Sequence, residues 1–565
     1  WSSLLAKVRV VFPGPKSSIA PLINISPEMY LLPSERRLPY PRTVSSTTAS
    51  PNAAPAVRPK ESFRVMLRQQ PPGLYLVAVT EFWERFSYWG MLGLLVLFLT
   101  ASPATGGFGW SNSEALTLYA IYTGAVFSAP ALGGFLASRY FGERACILWG
   151  GVAVTAGHFL LSGPALGPWL IEAFTGWPVG QWLNACGIPL GKAIPSAEVS
   201  SALASGRCAA DAAGGSAVAL AYHLQAWTFL LGLVGIVAGT GFIKSTVSSI
   251  VGKLYAPGDA RREEGFGIFM ACIYSGALFS NLVAGTIGEL LDWHWGFAVA
   301  GIGMAAGLVL YLARHERLLG DIGKKPDFVQ PNHVDDGTSV PSHVQWGRIA
   351  VALLMSLFVV LYAMSFYQKG GLLNIETKAH VDRFVFGFEL PTTWLLSIST
   401  LVFIVLTLPA ARLWRSLAAR HREPDVVAKL AFGLAALACG YGVFALGLAE
   451  KAVSADGRFS LWWMVGMYAL FALGDLLVWP TQIAAVSRLA PPRHAAFAVG
   501  AWYLTIGLGS WLTATTAPIN DRYGISTVAI VLMSLCGGAA LLLWLARKPL
   551  IKLTYGALDT RPPPG

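Results

Sequence analysis

The chain is 565 residues long, with 54% hydrophobic and only 13% charged residues. A soluble protein carries roughly 25% charged residues, so this composition could not cover the surfaces of the several soluble domains that such a length implies. The positive mean hydropathy, 20 tryptophans and 60 glycines suit helices packed in lipid. The composition excludes soluble enzymes, disordered chains and disulfide scaffolds, and predicts an all-α polytopic membrane protein.

The first 65 residues differ from the rest. They hold ten of the 34 prolines and no apolar run long enough for a signal peptide, so we predict a disordered N-terminal segment over 1–65. The chain starts at Trp1, and Met66 stands eight residues before the first apolar stretch. We therefore expect much of this segment to be an upstream extension of the true reading frame.

Apolar stretches of about 20 residues predict twelve transmembrane helices. They are 74–100, 114–137, 146–171, 218–250, 265–288, 296–313, 347–368, 392–411, 430–449, 460–485, 496–516 and 526–546.

These stretches divide into six, a polar connector and six more. Two six-helix bundles facing each other across a central site are typical of alternating-access transporters. We predict an N-terminal bundle over 66–313, a cytoplasmic connector over 314–346, a C-terminal bundle over 347–546 and a tail over 547–565.

The net charge of +11 reflects topology. Of the 41 Lys and Arg residues, 31 lie before residue 73, in or at the edge of the loops after even-numbered stretches, or in the tail, and 8 lie in the opposite loops. By the positive-inside rule, both termini are cytoplasmic, in a bacterial inner membrane. The basic excess therefore needs no nucleic-acid partner, and lipid is the expected surrounding.

The longest predicted outside loop, 172–217, contains Cys186 and Cys208. Outside an inner membrane the two could form a disulfide, or they could be unpaired small residues. The other cysteines lack metal-ligand spacing, so we expect no metal and no cofactor.

Five ionisable residues remain at membrane depth. They are Glu81, Glu84, Arg85, Lys244 and Asp475. A charge in hydrocarbon costs a few kcal/mol or more, so each is a functional-site hypothesis by default.

The first of these charges share one helix face. Glu81, Glu84, Arg85 and Tyr88 stand at i, i+3, i+4 and i+7, and Lys244 is predicted at a similar depth. One interpretation is a permanent ion-pair cluster that locks the first helix to the fourth. The other is a proton-responsive cluster, in which protonation of a glutamate frees a cation to hold an anionic substrate.

The same residues carry a family resemblance. The stretch TEFWERFSYWGM resembles the helix-one signature of the proton-coupled oligopeptide transporter family, in the major facilitator superfamily, and the similarity extends over most of 74–546. Further stretches are similar to other landmarks of the family. They are GGFLASRYFGER (133–144), GTGFIKSTVSSIVGKLY (239–255), WHWGF (293–297), FGFELP (386–391) and LAPPR (489–493).

The resemblance implies a major facilitator fold of twelve helices and proton-coupled import of di- and tripeptides. Glu81, Glu84, Arg85 and Lys244 would couple proton uptake to binding of the peptide carboxylate. Asp475, where the family usually has Glu, would hold the peptide amino terminus. Tyr88, Tyr122 and Trp502 would line the pocket.

Some positions depart from the family pattern. Leu92 and Tyr367 stand where the family has an Arg and a Glu that can pair across the bundles, and Tyr274 replaces an Asn. Loss of both charges is coherent, because loss of one would leave the other buried and unpaired. We expect a bulkier, more aromatic pocket and a changed outer gate.

Proton-coupled peptide import is thus the leading hypothesis, with the chain functional as a monomer. The alternative is transport of a different small metabolite, which the departures would fit. A sensor or an intramembrane enzyme is less favoured, because we find neither a signalling domain nor a nucleophile with a positioned base.

Overall fold

The structure is a computed structural model of the 565-residue chain. It describes residues 63–102, 105–163, 171–178, 181, 212–256, 259, 261–326, 341–490 and 495–558. The predicted disorder of 1–62 and the predicted pairing of Cys186 with Cys208 lie outside these residues.

The described chain is helical apart from a few short strands, and contains twelve helices of 18 residues or more. They are α1 (Pro72–Thr100), α2 (Asn112–Leu136), α3 (Glu143–Leu161), α4 (Ala212–Lys253), α5 (Arg261–Leu290), α6 (Trp293–Leu319), α7 (Ser342–Phe366), α8 (Thr392–Ala419), α9 (Val426–Val453), α10 (Leu461–Leu489), α11 (Ala495–Leu512) and α12 (Ile525–Leu553). Ten of the helical segments are long and apolar enough to cross a membrane.

Each predicted stretch falls on one of these helices, but some ends differ. A short helix, Phe63–Arg68, begins inside the segment predicted to be disordered. Helix α3 ends at Leu161, ten residues before the predicted end of its stretch. Helix α7 ends at Phe366 and continues as a 3₁₀ turn, Tyr367–Gly370. The chain then breaks at Gly371, whose ψ of −113° is not helical, before the short helix Leu372–His380.

Four two-residue strands follow or adjoin this break. Strand β1 (Val381–Asp382) pairs in parallel with β4 (Phe459–Ser460), and β2 (Phe384–Val385) pairs antiparallel with β3 (Phe388–Glu389). Strands β1, β2 and β3 lie in the connection between α7 and α8, and β4 directly precedes α10.

The twelve helices pack as two groups of six, α1–α6 and α7–α12. Within the first group α3 packs on α4 and α1 packs on α5 and α6; within the second, α9 packs on α10 and α12. The groups meet where α2 packs on α11 and where α5 packs on α8. We call the end of the molecule where α1 begins the Pro72 end, and the opposite end the Thr100 end.

Helix α1 can approach α5 closely because Gly276 lies at the crossing. A β-carbon at Gly276 would stand 2.4 Å from the carbonyl oxygen of Phe82 and 3.1 Å from Cβ of Arg85. The absence of a side chain at this position therefore sets where the charged face of α1 lies.

We predict that Gly276→Ala lowers the thermal unfolding temperature of the purified protein, because the added methyl overpacks the α1–α5 crossing at a cost of about 1–3 kcal/mol. Gly267, on the same helix, has no atom within 4 Å of an added β-carbon, so Gly267→Ala should be neutral or stabilising. Equal melting temperatures for the two variants would contradict this account.

Candidate functional site

The predicted charges of α1 come together in the structure. The Arg85 guanidinium forms an ion pair with Glu81, with Nε 3.1 Å from Oε1, and a second ion pair with Glu84. All three side chains are buried. Neither carboxylate oxygen of Glu84 accepts a hydrogen bond from any described residue. One guanidinium therefore faces two buried carboxylates within the helix, and the Lys244 ammonium of α4 interacts with both of them electrostatically.

Lys244 is close to this cluster in depth but is held differently. Its Nζ lies 4.0 Å from the centroid of the Phe127 ring and 5.1 Å from that of Tyr503. No carboxylate among the described residues lies within the 4.0 Å of an ion pair. Lys244 nevertheless interacts electrostatically with Glu81 and Glu84, so α4 is linked to the charges of α1 without a direct ion pair. Both interpretations of the cluster stay predictions. The ammonium rests on aromatic faces, which attract a cation more weakly than a carboxylate does.

Asp475 lies in the opposite group of helices, on α10. Its Oδ1 accepts a hydrogen bond of 3.1 Å from the hydroxyl of Tyr362 on α7. The residue is partly exposed. The predicted separation of charge is thus present: Arg85 and Lys244 belong to one group of helices and Asp475 to the other.

Aromatic rings line the space between these charges. The ring of Tyr88 lies 5.8 Å from that of Phe127, Phe127 lies 6.2 Å from Trp479, and Trp479 lies 4.9 Å from Trp502. This row of rings runs from α1 and α2 to α10 and α11. The predicted pocket residues Tyr88 and Trp502 are therefore part of one wall.

Several polar groups near this wall have no partner among the described residues. The hydroxyls of Tyr88 and Tyr122, the Trp502 Nε1 and both amide atoms of Gln482 are buried without a hydrogen bond. Unpartnered buried polar groups are costly, so a native structure retains them where they have another role. Gln482 was not identified from the sequence, although it stands two helical turns after Asp475.

Lys369 is a further cation that the sequence analysis placed in an outside loop. The 3₁₀ turn after α7 carries it into the interior, where it is only 2% exposed. Its Nζ lies 4.0 Å from the centroid of the Phe366 ring and 4.4 Å from that of Trp89. The signal that could have indicated its burial is its position two residues after Tyr367, which is buried in the same 3₁₀ turn.

The positions that depart from the family pattern hold apolar and aromatic contacts. The hydroxyl of Tyr119 donates to the backbone carbonyl of Tyr367 at 2.6 Å, beside the fully buried Leu92. Tyr274 stacks on Phe403 of α8 with ring centroids 4.1 Å apart. The prediction of a more aromatic interior is consistent with these contacts.

At the Thr100 end, Glu289 links the two helix groups. The sequence analysis did not single out this residue. This carboxylate at the end of α5 accepts hydrogen bonds from the backbone N–H groups of Thr392 (3.0 Å) and Thr393 (2.8 Å), at the start of α8. It also forms an ion pair of 3.2 Å with Lys378, and its side chain is 1% exposed. A residue of one helix group thus caps a helix of the other. Hydrogen bonds of Asn374 to the Gly93 carbonyl and of Trp394 to Thr286 adjoin it.

The start of α3, at the Pro72 end, is tied to the end of α6. Arg144 donates to the carbonyl of Gly320 at 2.6 Å and forms an ion pair of 3.2 Å with Glu316. Glu316 also accepts a hydrogen bond from Lys324, and this bond raises the pKa of the Lys324 ammonium. These contacts hold α3 to the end of α6.

Comparisons with known proteins identify the family. The family model described as the POT family matches residues 144–332 and 342–530. The chain is similar to peptide transporter YePEPT of Yersinia enterocolitica, with 26% identity over 78% of this chain and 85% of that protein. It is also similar to a di-/tripeptide transporter of Lactococcus lactis subsp. cremoris, with 24% identity over 86% and 96% of the two chains.

Solved structures show the same architecture. A peptide transporter POT in complex with sulfate aligns with a TM-score of 0.65 and 25% identity over 86% of this chain and 96% of that one. A POT family transporter in complex with 5-aminolevulinic acid aligns with a TM-score of 0.66 and 21% identity, over 85% and 97%. The chain is a multi-pass membrane protein with the major facilitator fold of two six-helix bundles. It belongs to the POT family of transporters.

We predict that Glu289→Gln loosens the Thr100 end. An amide cannot accept from the α8 N–H groups and Lys378 with both of its terminal atoms, and loss of a helix cap costs about 0.5–2 kcal/mol. Spin labels at the exposed positions Leu291 and Phe386, measured by double electron–electron resonance, should report longer distances than in the unsubstituted protein.

Glu389→Gln is the matched control, because Glu389 pairs with Arg383 inside the same connection between α7 and α8. That variant should leave the distance distribution unchanged. A Glu289→Gln distribution identical to the parent would show that the cap does not hold the two bundles together.

Proposed function

We propose that the protein imports di- and tripeptides together with protons by alternating access. The observation that carries this proposal is the division of buried charge between the bundles, with Arg85 and Lys244 on one side and Asp475 on the other. A zwitterionic peptide needs cations for its carboxylate and an anion for its amino terminus. A substrate bound to both sets of charges would bridge the bundles, so that binding would favour their approach.

The carboxylates of α1 are the proposed proton acceptors. Glu81 and Glu84 share Arg85, so these three residues together carry one excess negative charge when both glutamates are ionised. One proton on either glutamate would neutralise this excess. Protonation would also weaken the hold of that glutamate on the guanidinium, leaving Arg85 free to bind a peptide carboxylate. Lys244, resting on Phe127 and Tyr503 without an ion pair in the described chain, would contribute the second cation.

The state described here would face the cytoplasm. The positive-inside count places the Pro72 end and both termini there, in an inner membrane. The Glu289 cap and the Tyr119–Tyr367 hydrogen bond close the Thr100 end, while Lys244 and Asp475 remain partly exposed on the Pro72 side of that closure. We further propose that the chain works as a monomer in lipid, with protons as the coupling ion, without a cofactor and without chemical change to its substrate.

A second candidate is transport of another small zwitterion. The stacked Tyr274–Phe403 pair and the buried Leu92 and Tyr367 fill space that a polar pocket would leave open. A smaller substrate with one amino group and one carboxylate would make the same charge contacts. A rise in melting temperature with such a metabolite, and none with peptides, would favour this candidate.

The proposed function is tested by uptake of labelled dialanine into proteoliposomes, with and without an inward proton gradient. The gradient should stimulate uptake in the unsubstituted protein. In Glu84→Gln, the increase in uptake caused by the gradient should be at least tenfold smaller, because an amide cannot take up the proton. Counterflow of peptide without a gradient should continue. Gradient-independent uptake in the unsubstituted protein would refute proton coupling.

Glu114→Gln supplies the control for this experiment. Glu114 is an exposed capping residue that accepts hydrogen bonds from Ser111 at the start of α2, remote from Arg85. Its substitution should leave the stimulation ratio unchanged. If Glu84→Gln and Glu114→Gln behaved alike, the assignment of proton coupling to α1 would be wrong.

Asp475 has its own test. Asp475→Asn keeps an oxygen that can accept from Tyr362 but removes the negative charge facing the peptide amino terminus. We expect at least a tenfold weaker inhibition constant for dialanine, and little change for N-acetyl-dialanine, in competition for uptake. Equal losses for both ligands would show that Asp475 acts on the structure and not on the amino group.

A further inference from the structure

Lys369 is a buried cation that the proposed mechanism does not use. Its side chain is 2% exposed. Its Nζ contacts the rings of Phe366 and Trp89 and lies 3.4 Å from the hydroxyl of Ser399. Across the described ranges, no carboxylate approaches it within the 4.0 Å of an ion pair. Its direct contacts in the described chain are thus a hydroxyl and two ring faces, and Asp475 interacts with it electrostatically from beyond ion-pair distance. A buried ammonium without a direct ion pair is costly, and membrane proteins retain such charges mainly for function.

The position of Lys369 relates it to the substrate space. It follows α7 and lies against Trp89 of α1 and Ser399 of α8, so it sits between the two bundles. On the same element, Tyr362 is the hydrogen-bond donor to Asp475. The seven residues from 362 to 369 correspond to about 10 Å along a helix. A peptide whose amino terminus is at Asp475 would therefore have its side chains within reach of Lys369.

The charge balance points to the chemistry of that side chain. Arg85 and Lys244 are assigned to the peptide carboxylate, and Asp475 to the amino terminus. Lys369 interacts electrostatically with Asp475, which is the counter-charge on its own bundle. Once a peptide amino terminus takes Asp475, that bundle carries one positive charge in excess. A neutral dipeptide leaves it without a counterion, whereas a peptide with a carboxylate side chain supplies one.

We propose that Lys369 is a specificity-determining residue that makes this transporter select peptides with an acidic side chain. The inference rests on the proposed function, because it assumes that peptides bind between Arg85 and Asp475. The ammonium leaves its ring contacts with Trp89 and Phe366 and pairs with the side-chain carboxylate of the substrate. Ser399 remains as a hydrogen-bond partner of that pair.

The test compares two nearly isosteric ligands, Ala-Glu and Ala-Gln, as competitors of dialanine uptake in proteoliposomes. The unsubstituted protein should bind Ala-Glu roughly tenfold more tightly than Ala-Gln, as expected for a hydrogen bond between charged groups in a water-poor site. In Lys369→Met this ratio should fall to about one. Lys369→Arg, which keeps the charge, should retain most of the preference.

The control is Lys552→Met, which removes an exposed lysine at the end of α12 and should leave the ratio unchanged. Only ratios measured within one variant are compared, so a general change in expression or affinity does not affect the result. Melting temperatures report whether Lys369→Met is folded; if it is not, the ratios of the parent and of Lys369→Arg decide the question.

Each outcome has a distinct meaning. Equal binding of Ala-Glu and Ala-Gln by the unsubstituted protein, or a preference that persists in Lys369→Met, would overturn the inference and leave the proposed function standing. An equal loss of both ligands in Lys369→Met would assign Lys369 to structure and also overturn it. Failure of every peptide to compete would overturn the proposed function itself, and the inference with it.

Discussion

The interior of this protein is organised by the cost of placing charge in hydrocarbon. A buried ion must be paired, solvated by polar groups or matched to a ligand. The trio on α1 meets this requirement incompletely, because one guanidinium serves two carboxylates. The second carboxylate of α1 is the group to which the proposed coupling proton would bind.

The helix packing places these charges at the centre of the molecule. Gly276 brings α5 against the backbone of α1 beside Arg85, so the charged face cannot move away into lipid. The row of aromatic rings from Tyr88 to Trp502 runs from the first bundle to the second. Aromatic faces accept a cation without neutralising it, which suits Lys244 and Lys369 for binding an incoming anion. Stable ion pairs at these positions would compete with the substrate.

At the Thr100 end the two bundles are linked without the Arg–Glu pair that the family pattern would place there. Leu92 and Tyr367 replace the charges that family members can pair, and they contribute apolar packing and a backbone acceptor. Glu289 supplies an electrostatic link instead. Because a carboxylate at a helix N-terminus meets several N–H donors and the positive end of the helix dipole, it can hold two bundles together without a matching arginine. Separation of the bundles would expose the same donors to water, so the link is reversible.

How far the sequence could predict this protein depended on the kind of signal. The twelve long helices were predictable because lipid demands long apolar stretches, and the charges at Glu81, Glu84, Arg85, Lys244 and Asp475 were predictable because any charge within such a stretch is anomalous. Their separation into two groups followed from chain order alone. The family was recognisable because its helix-one signature is local in sequence.

Other features of the site were decided only by the tertiary structure. Lys369 and Glu289 stand at the ends of apolar stretches, where a sequence reading assigns a charge to water; the turn after α7 and the approach of α8 bury them. Lys244 interacts electrostatically with the α1 carboxylates, as its predicted depth suggested, but its close contacts are with the rings of Phe127 and Tyr503 on two other helices. Burial at helix ends and the choice between neighbours are set by contacts between distant segments. Composition and periodicity determine which residues face the interior, and only packing determines what each of them meets there.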